Sequence, residues 1–207
     1  DYGVFGFGLY NGQTANRAEQ NNSLHAVARF SYPFSVNKQI IEPGIQAYAG
    51  KYVLPADLRS TNVKAAHNFE FDDKRFATSL NLYPKPLGIQ AEYNWGKGPQ
   101  YNSVKDSIET KNLKGGYITV SYKGDLKNGM VLYPFTRIQK YNGGKKHELD
   151  ARSYDVKEIE TGAEWQINKN FEFTVSYVLS ERRFEDSKAR NNLQKGNFLR
   201  MQAQINF

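Results

Sequence analysis

Twelve charged side chains carry whatever chemistry this chain has. His25, Arg29, Arg75, Lys123, Arg137 and Arg200 are basic, while Glu42, Glu92, Glu158, Glu160, Glu164 and Glu172 are acidic. Each falls in the polar half of a segment in which apolar and polar residues alternate. Charges arrayed along such rows do no covalent work. They create a field in which basic groups concentrate anions, and opposed rows of unlike sign orient polar solutes. Covalent chemistry has thinner support: Asp72, Asp73, His67 and His147 could form an acid–histidine pair that activates water, on residue type alone. The three histidines are too far apart in sequence for a metal-binding spacing, and no glycine-rich phosphate loop precedes a helix. The chain has no cysteine, so thiolate sites and disulfides are excluded; a passive path of this kind would need no cofactor.

The elements that must hold these charges are strands. In Asn197 to Phe207, Leu199, Met201, Ala203, Ile205 and Phe207 share one parity, and Arg200, Gln202, Gln204 and Asn206 take the other. A period of two puts one set on each face of a sheet. The same two-faced reading fits Tyr2 to Tyr10, Ser23 to Phe34, Ile41 to Ala49, Lys74 to Tyr83, Leu87 to Trp95, Tyr117 to Tyr122, Met130 to Tyr141, Glu158 to Ile167 and Phe171 to Leu179. In Met130 to Tyr141 both rows carry apolar residues, and Arg137 is assigned to the inner row with Tyr133, Phe135 and Gln139. The total is about ten strands, of the roughly 9 to 11 residues that a bilayer-crossing strand requires.

Composition agrees. Mean hydropathy is −0.70, and no run approaches the ~18 apolar residues of a membrane helix. Yet aromatic content is 14%, too rich for disorder. Connections alternate in length. Ser35–Gln39, Pro84–Pro86, Gly124–Gly129 and Asn168–Asn170 are short. Asn11–Asn22, Leu54–Asp73, Gly96–Gly115, Asn142–Asp155 and Ser180–Gly196 are long. Short turns at one end and long loops at the other mark an outer-membrane barrel, with both termini at the short-turn, periplasmic end. Aromatic residues then sort by depth: Tyr32, Phe34, Tyr122, Trp165, Phe171 and Phe207 lie near the periplasmic border, and Tyr93 and Trp95 near the external one. A soluble sandwich or lipocalin-like barrel would also alternate, but its outer face would be rich in Lys and Glu, not in Gln, Ser, Thr and Gly.

The runs GLYNGQ (Gly8 to Gln13), PLGIQAEYNWG (Pro86 to Gly96), YPFTRIQKYNGGKK (Tyr133 to Lys146) and GAEWQINKNFEFTVSYVLSERRF (Gly162 to Phe184), with the terminal strand, resemble the C-terminal portion of the phosphate-selective porin O and P family. That resemblance implies a sixteen-stranded, trimeric anion channel, to which residues 1–207 would contribute about ten strands as one barrel domain. The alternative is a complete small barrel with a structural or assembly role in the envelope. At ~4.8 Å strand spacing and ~40° tilt, ten strands close at a radius of about 10 Å and sixteen at about 16 Å, so the larger wall leaves the wider hole.

The resemblance makes Phe207 an export signal for the barrel-assembly machinery. It makes the basic side chains a lining for passive diffusion of small hydrophilic solutes, with no catalysis; an outer-membrane protease is the enzymatic alternative. Outer-membrane lipid and lipopolysaccharide are the expected surroundings, with the mixed charges of Gly143 to Asp155 and Glu181 to Gly196 available to phosphates. Nucleic acid is not an expected partner of the +7 chain, because its basic residues are dispersed and form no stripe.

Overall fold

A computed structural model describes residues 3–13 and 17–207. Tyr2, read above as the first strand's opening residue, and Thr14 to Asn16 in the first long connection lie outside the described residues. The strands are β1 (Val4–Tyr10), β2 (His25–Ser31), β3 (Phe34–Val36), β4 (Gln39–Val53), β5 (Lys64–Ala65), β6 (Glu70–Leu82), β7 (Leu87–Asn102), β8 (Ser107–Tyr122), β9 (Gly124–Asp125), β10 (Val131–Gly144), β11 (Ser153–Asn168), β12 (Phe171–Phe184) and β13 (Asn192–Ile205). They form one sheet in the order β1-β2-β4-β6-β7-β8-β10-β11-β12-β13. Neighbours on that path are antiparallel, β3 and β9 extend it at the short-turn end, and β5 adds a parallel pairing to β8. Among the described residues β1 and β13 do not pair, so the sheet is open and has two free edges.

Burial separates the two faces in the sense opposite to a soluble protein. On β11, Ile159 is 45% exposed and Trp165 39%, whereas Glu160 between them is 8% exposed. On β12 and its neighbours Tyr177, Leu179, Leu199 and Met201 are exposed while Ser176 is buried. Side chains on the inner side of a curved wall crowd one another and those on the outer side splay apart. The polar rows are therefore the inner ones.

The short connections are turns, as their sequence suggests. Asn37 and Lys38 both adopt positive φ, 51° and 68°, which suits a two-residue hairpin between β3 and β4. Four of the five long connections are shorter than their sequence implies, the one between β1 and β2 being the exception. Tyr101 pairs with Ile108, and the expected loop Gly96–Gly115 is a hairpin whose ladder runs without a break to Asn102 and Ser107. Likewise β10 and β11 stay paired to Gly144 and Ser153, and β12 and β13 to Phe184 and Asn192. Beyond the apolar band both faces meet polar surroundings, so alternation is no longer imposed although the backbone ladder continues.

These extensions carry a second core, built in the ordinary way. Tyr52, Leu54, Val63, Phe71, Tyr101, Ile108 and Ala151 bury one another at the long-connection end, with Leu58, Ala65 and Phe69 against them. The segment between β4 and β6 supplies much of this core, and the β5–β8 pairing pins it.

Candidate functional site

The inner face under this second core gathers the densest polar network. Asp73 of β6 is fully buried and accepts hydrogen bonds from Lys146 Nζ at 2.6 Å, Arg75 Nη2 at 3.0 Å and Tyr48 Oη at 3.1 Å. His25 of β2, also fully buried, contacts the Tyr48 hydroxyl through Nδ1 and the Lys51 carbonyl through Nε2 at 2.8 Å. Its ring fills space that Gly12 and Gly50 leave open: a Cβ at either glycine would overlap the imidazole. One carboxylate thus faces two cations, Arg75 and Lys146, and the cluster carries a positive surplus.

Lys146 comes from the β10–β11 connection, which folds inward as a turn of 3-10 helix at Leu149–Ala151. Ser60 donates its amide to Asp150 Oδ1 at 2.7 Å, and a Cβ at Gly144 would overlap the Pro99 carbonyl oxygen. The β4–β6 and β10–β11 connections are therefore stitched over the network, with the ends of β7 and β10 packed closely beside them. His147 lies on the same turn, 3.5 Å from the Tyr52 hydroxyl, and burial together with the Lys146 charge lowers its pKa below the ordinary 6.5.

Below the network the inner rows continue. A cavity of 460 Å³ is lined by Arg75, Asn94, Tyr117, Gln139, Tyr141 and Lys145, among others. The Arg137 guanidinium sits 4.2 Å from the centre of the Tyr117 ring, and its Nε is buried without a hydrogen-bond partner among the described residues. Arg29 lies on the same face, opposite Gly6 on β1 and Gln46 on β4. Arg200 donates to Glu160 at 3.0 Å, and Glu160 also accepts from Ser176 at 2.6 Å. Glu92 holds Gln46 and Asn94, Glu158 holds Gln139, Glu164 holds Gln166, and Glu42 accepts from Tyr83 at 2.7 Å. Glu172 stands opposite Gln166 and Gln204.

Lys123 sits apart from the strand-centre residues. It follows the end of β8 and pairs with Asp125 at 3.3 Å, at the short-turn rim. Phe207 lies past the end of β13 with its side chain fully exposed, while Asn206 and Asn170 exchange backbone and side-chain hydrogen bonds beside it.

The acid–histidine reading finds a different geometry. Asp73 is held by Lys146, Arg75 and Tyr48, and Asp72 pairs with Lys74 at 3.9 Å; among the described residues neither carboxylate hydrogen-bonds His67 or His147. Sequence reasoning did not single out Tyr48, Asp73 and Lys146 as one network. Only the shared inner parity of Tyr48 with Gln46, and of Asp73 with Arg75, pointed toward it.

Comparison with known proteins adds one finding. The family model described as phosphate-selective porin O and P matches residues 1–207, the whole chain. No curated protein matches it.

Proposed function

The chain belongs to the phosphate-selective porin O and P family and is an outer-membrane porin of a Gram-negative envelope, and from that premise we propose which of its residues make the path and set its preference. Solutes pass by diffusion along the polar rows. Arg29, Arg75, Arg137 and Arg200 supply the basic lining, while His25, fully buried, braces it through Tyr48 and does not itself meet the path; Lys123 marks the periplasmic rim, and Glu42, Glu92, Glu158, Glu160, Glu164 and Glu172 supply the acidic lining. The observation that carries this reading is the inverted burial of Ile159 and Glu160: the apolar row is open and the charged row is enclosed.

The anion preference rests on the family, whose members are phosphate-selective, and on the lining cations that have no ion pair among the described residues. Asp73 is shared between two cations, Glu160 is matched by Arg200, and Glu92, Glu158 and Glu164 spend oxygens on amides. Arg137 and Arg29 have no ion pair among the described residues, so their charge remains for a passing anion.

The free outer edges of β1 and β13 support a wall wider than these ten long strands. Unpaired edge amides and carbonyls in hydrocarbon cost several kcal/mol each, and further strands beside β1 and β13 would satisfy them. A trimer of such barrels, and capture of exposed Phe207 by the assembly machinery, complete the proposal. Reversal potentials in planar bilayers under a KCl gradient test it. The expected sign is that of an anion-preferring pore, and a cation-preferring or non-conducting barrel would overturn the assignment.

A further inference from the structure

The outer face of β10 to β13 changes character along a sharp line. Thr136, Thr161, Tyr177 and Leu199 form one cross-strand row, and Ile138, Ile159, Leu179 and Asn197 form the next toward the long-connection end. One step further the row is Lys140, Lys157, Glu181 and Lys195. Followed the other way, that same row passes from Lys140 through Gly116 to Tyr93, one of the external aromatic girdle residues. The girdle that is tyrosine and tryptophan on β7 has become lysine on β10 to β13.

Lys140 and Lys157 are direct cross-strand partners. Like charges so placed repel, and among the described residues neither has an ion pair; Glu181 is taken by Lys195 at 2.8 Å. A groove of 580 Å³ crosses the four strands here, with Ile138, Ile159 and Leu179 on one side and Lys140, Lys157, Glu181 and Lys195 on the other. The groove is amphipathic across its width, with its charged rim facing the headgroup level of the outer leaflet.

We propose that this groove is a binding site for a phosphorylated glycolipid of the outer leaflet, whose phosphates neutralise the Lys140–Lys157 pair while its acyl chains lie on Ile138, Ile159 and Leu179. The occupant is amphiphilic because the site is. A free phosphate would satisfy the lysines and leave the apolar half uncovered, whereas a second porin copy would have to bring an acidic edge to the same height. Charge complementarity selects the lipid: the row Lys140, Lys157, Glu181 and Lys195 keeps a positive surplus after its one acid is counted, and its two lysines on neighbouring strands match a bisphosphorylated headgroup. The inference rests on the outward placement of the apolar rows, not on the direction of ion selectivity.

Native mass spectrometry of the intact porin in detergent, titrated with bisphosphorylated lipid A or with the same lipid stripped of phosphate, tests the site. The bisphosphorylated form is expected to be retained and the stripped form not, and millimolar inorganic phosphate should not displace it. The K140Q/K157Q variant should weaken retention by about tenfold or more. Its single-channel conductance should be unchanged, which reports correct folding and separates this inference from the solute-path reading. Equal retention of both lipids, unchanged binding by the variant, or displacement by inorganic phosphate would overturn the proposal. So would a dimer or trimer that disassembles on mutation of the lysines, because the face would then be a subunit contact.

Discussion

Ile159 and Glu160 are adjacent in sequence and opposite in environment: the isoleucine is exposed, and the carboxylate between β10 and β12 is enclosed by Ser176 and Arg200. In a water-soluble sheet the hydrophobic effect would reverse the two. The arrangement is stable only where hydrocarbon lies outside and water or polar side chains lie within.

Substitutions on the outer face should therefore cost according to depth. Val175 lies in the cross-strand row with Ala163 and Met201, in the middle of the apolar band. Val175→Arg should destabilise the folded barrel by about 2–4 kcal/mol, and Ile159→Arg, next to the lysine row, by about 1 kcal/mol or less. Urea unfolding in lipid vesicles gives both values, and equal penalties would contradict the depth assignment.

The Arg200–Glu160 contact yields a second expectation. Arg200→Gln leaves the enclosed Glu160 with Ser176 as its remaining hydrogen-bond partner, a loss of about 1 kcal/mol once the half-exposed arginine is discounted for screening. Glu160→Gln on the same background should recover most of that loss. A double-mutant cycle by denaturant unfolding measures the coupling, and additive effects would show that the pair is not coupled.

Arg137 carries a prediction for transport. Arg137→Glu places a carboxylate over the Tyr117 ring in the lining and should move the KCl reversal potential toward the cation side, with Arg137→Gln falling between. Unchanged potentials in both variants would remove Arg137 from the solute path.

The inward turn bearing Lys146 and His147 should respond to pH. Burial and the neighbouring lysine hold the docked His147 below its ordinary value of 6.5, so the undocked form gains a proton first. Docking is fully favourable above pH 6.5 and weakens as pH falls below it. Hydrogen exchange at the amides of Glu148 and Ala151, corrected for intrinsic rates, should speed up between pH 7.5 and 5.5. His147→Gln should abolish the dependence.

Much of this fold is legible in the sequence because the bilayer imposes a strict rule on each crossing segment. Phe171, Phe173, Val175, Tyr177 and Leu179 must share a face, and the alternation that places them also places Glu172, Thr174 and Ser176. Where the rule lapses, so does the reading. Lys97 to Thr110 lies beyond the band, shows no period, and looks like loop although it is a continuous ladder. The buried network was hidden for another reason: His25, Tyr48, Asp73 and Lys146 come from β2, β4, β6 and a connection. Their meeting depends on register and on an inward fold, neither of which a single sequence displays.

The most direct measurement exploits the absence of native cysteine. Single cysteines at 158 and 159, in reconstituted protein, are treated with a membrane-impermeant thiol reagent and, separately, labelled with a fluorophore exposed to a lipid-attached quencher. The account predicts that position 158 reacts from the water side and is not quenched, while position 159 is quenched by lipid and unreactive to the aqueous reagent. The reverse pattern would contradict it.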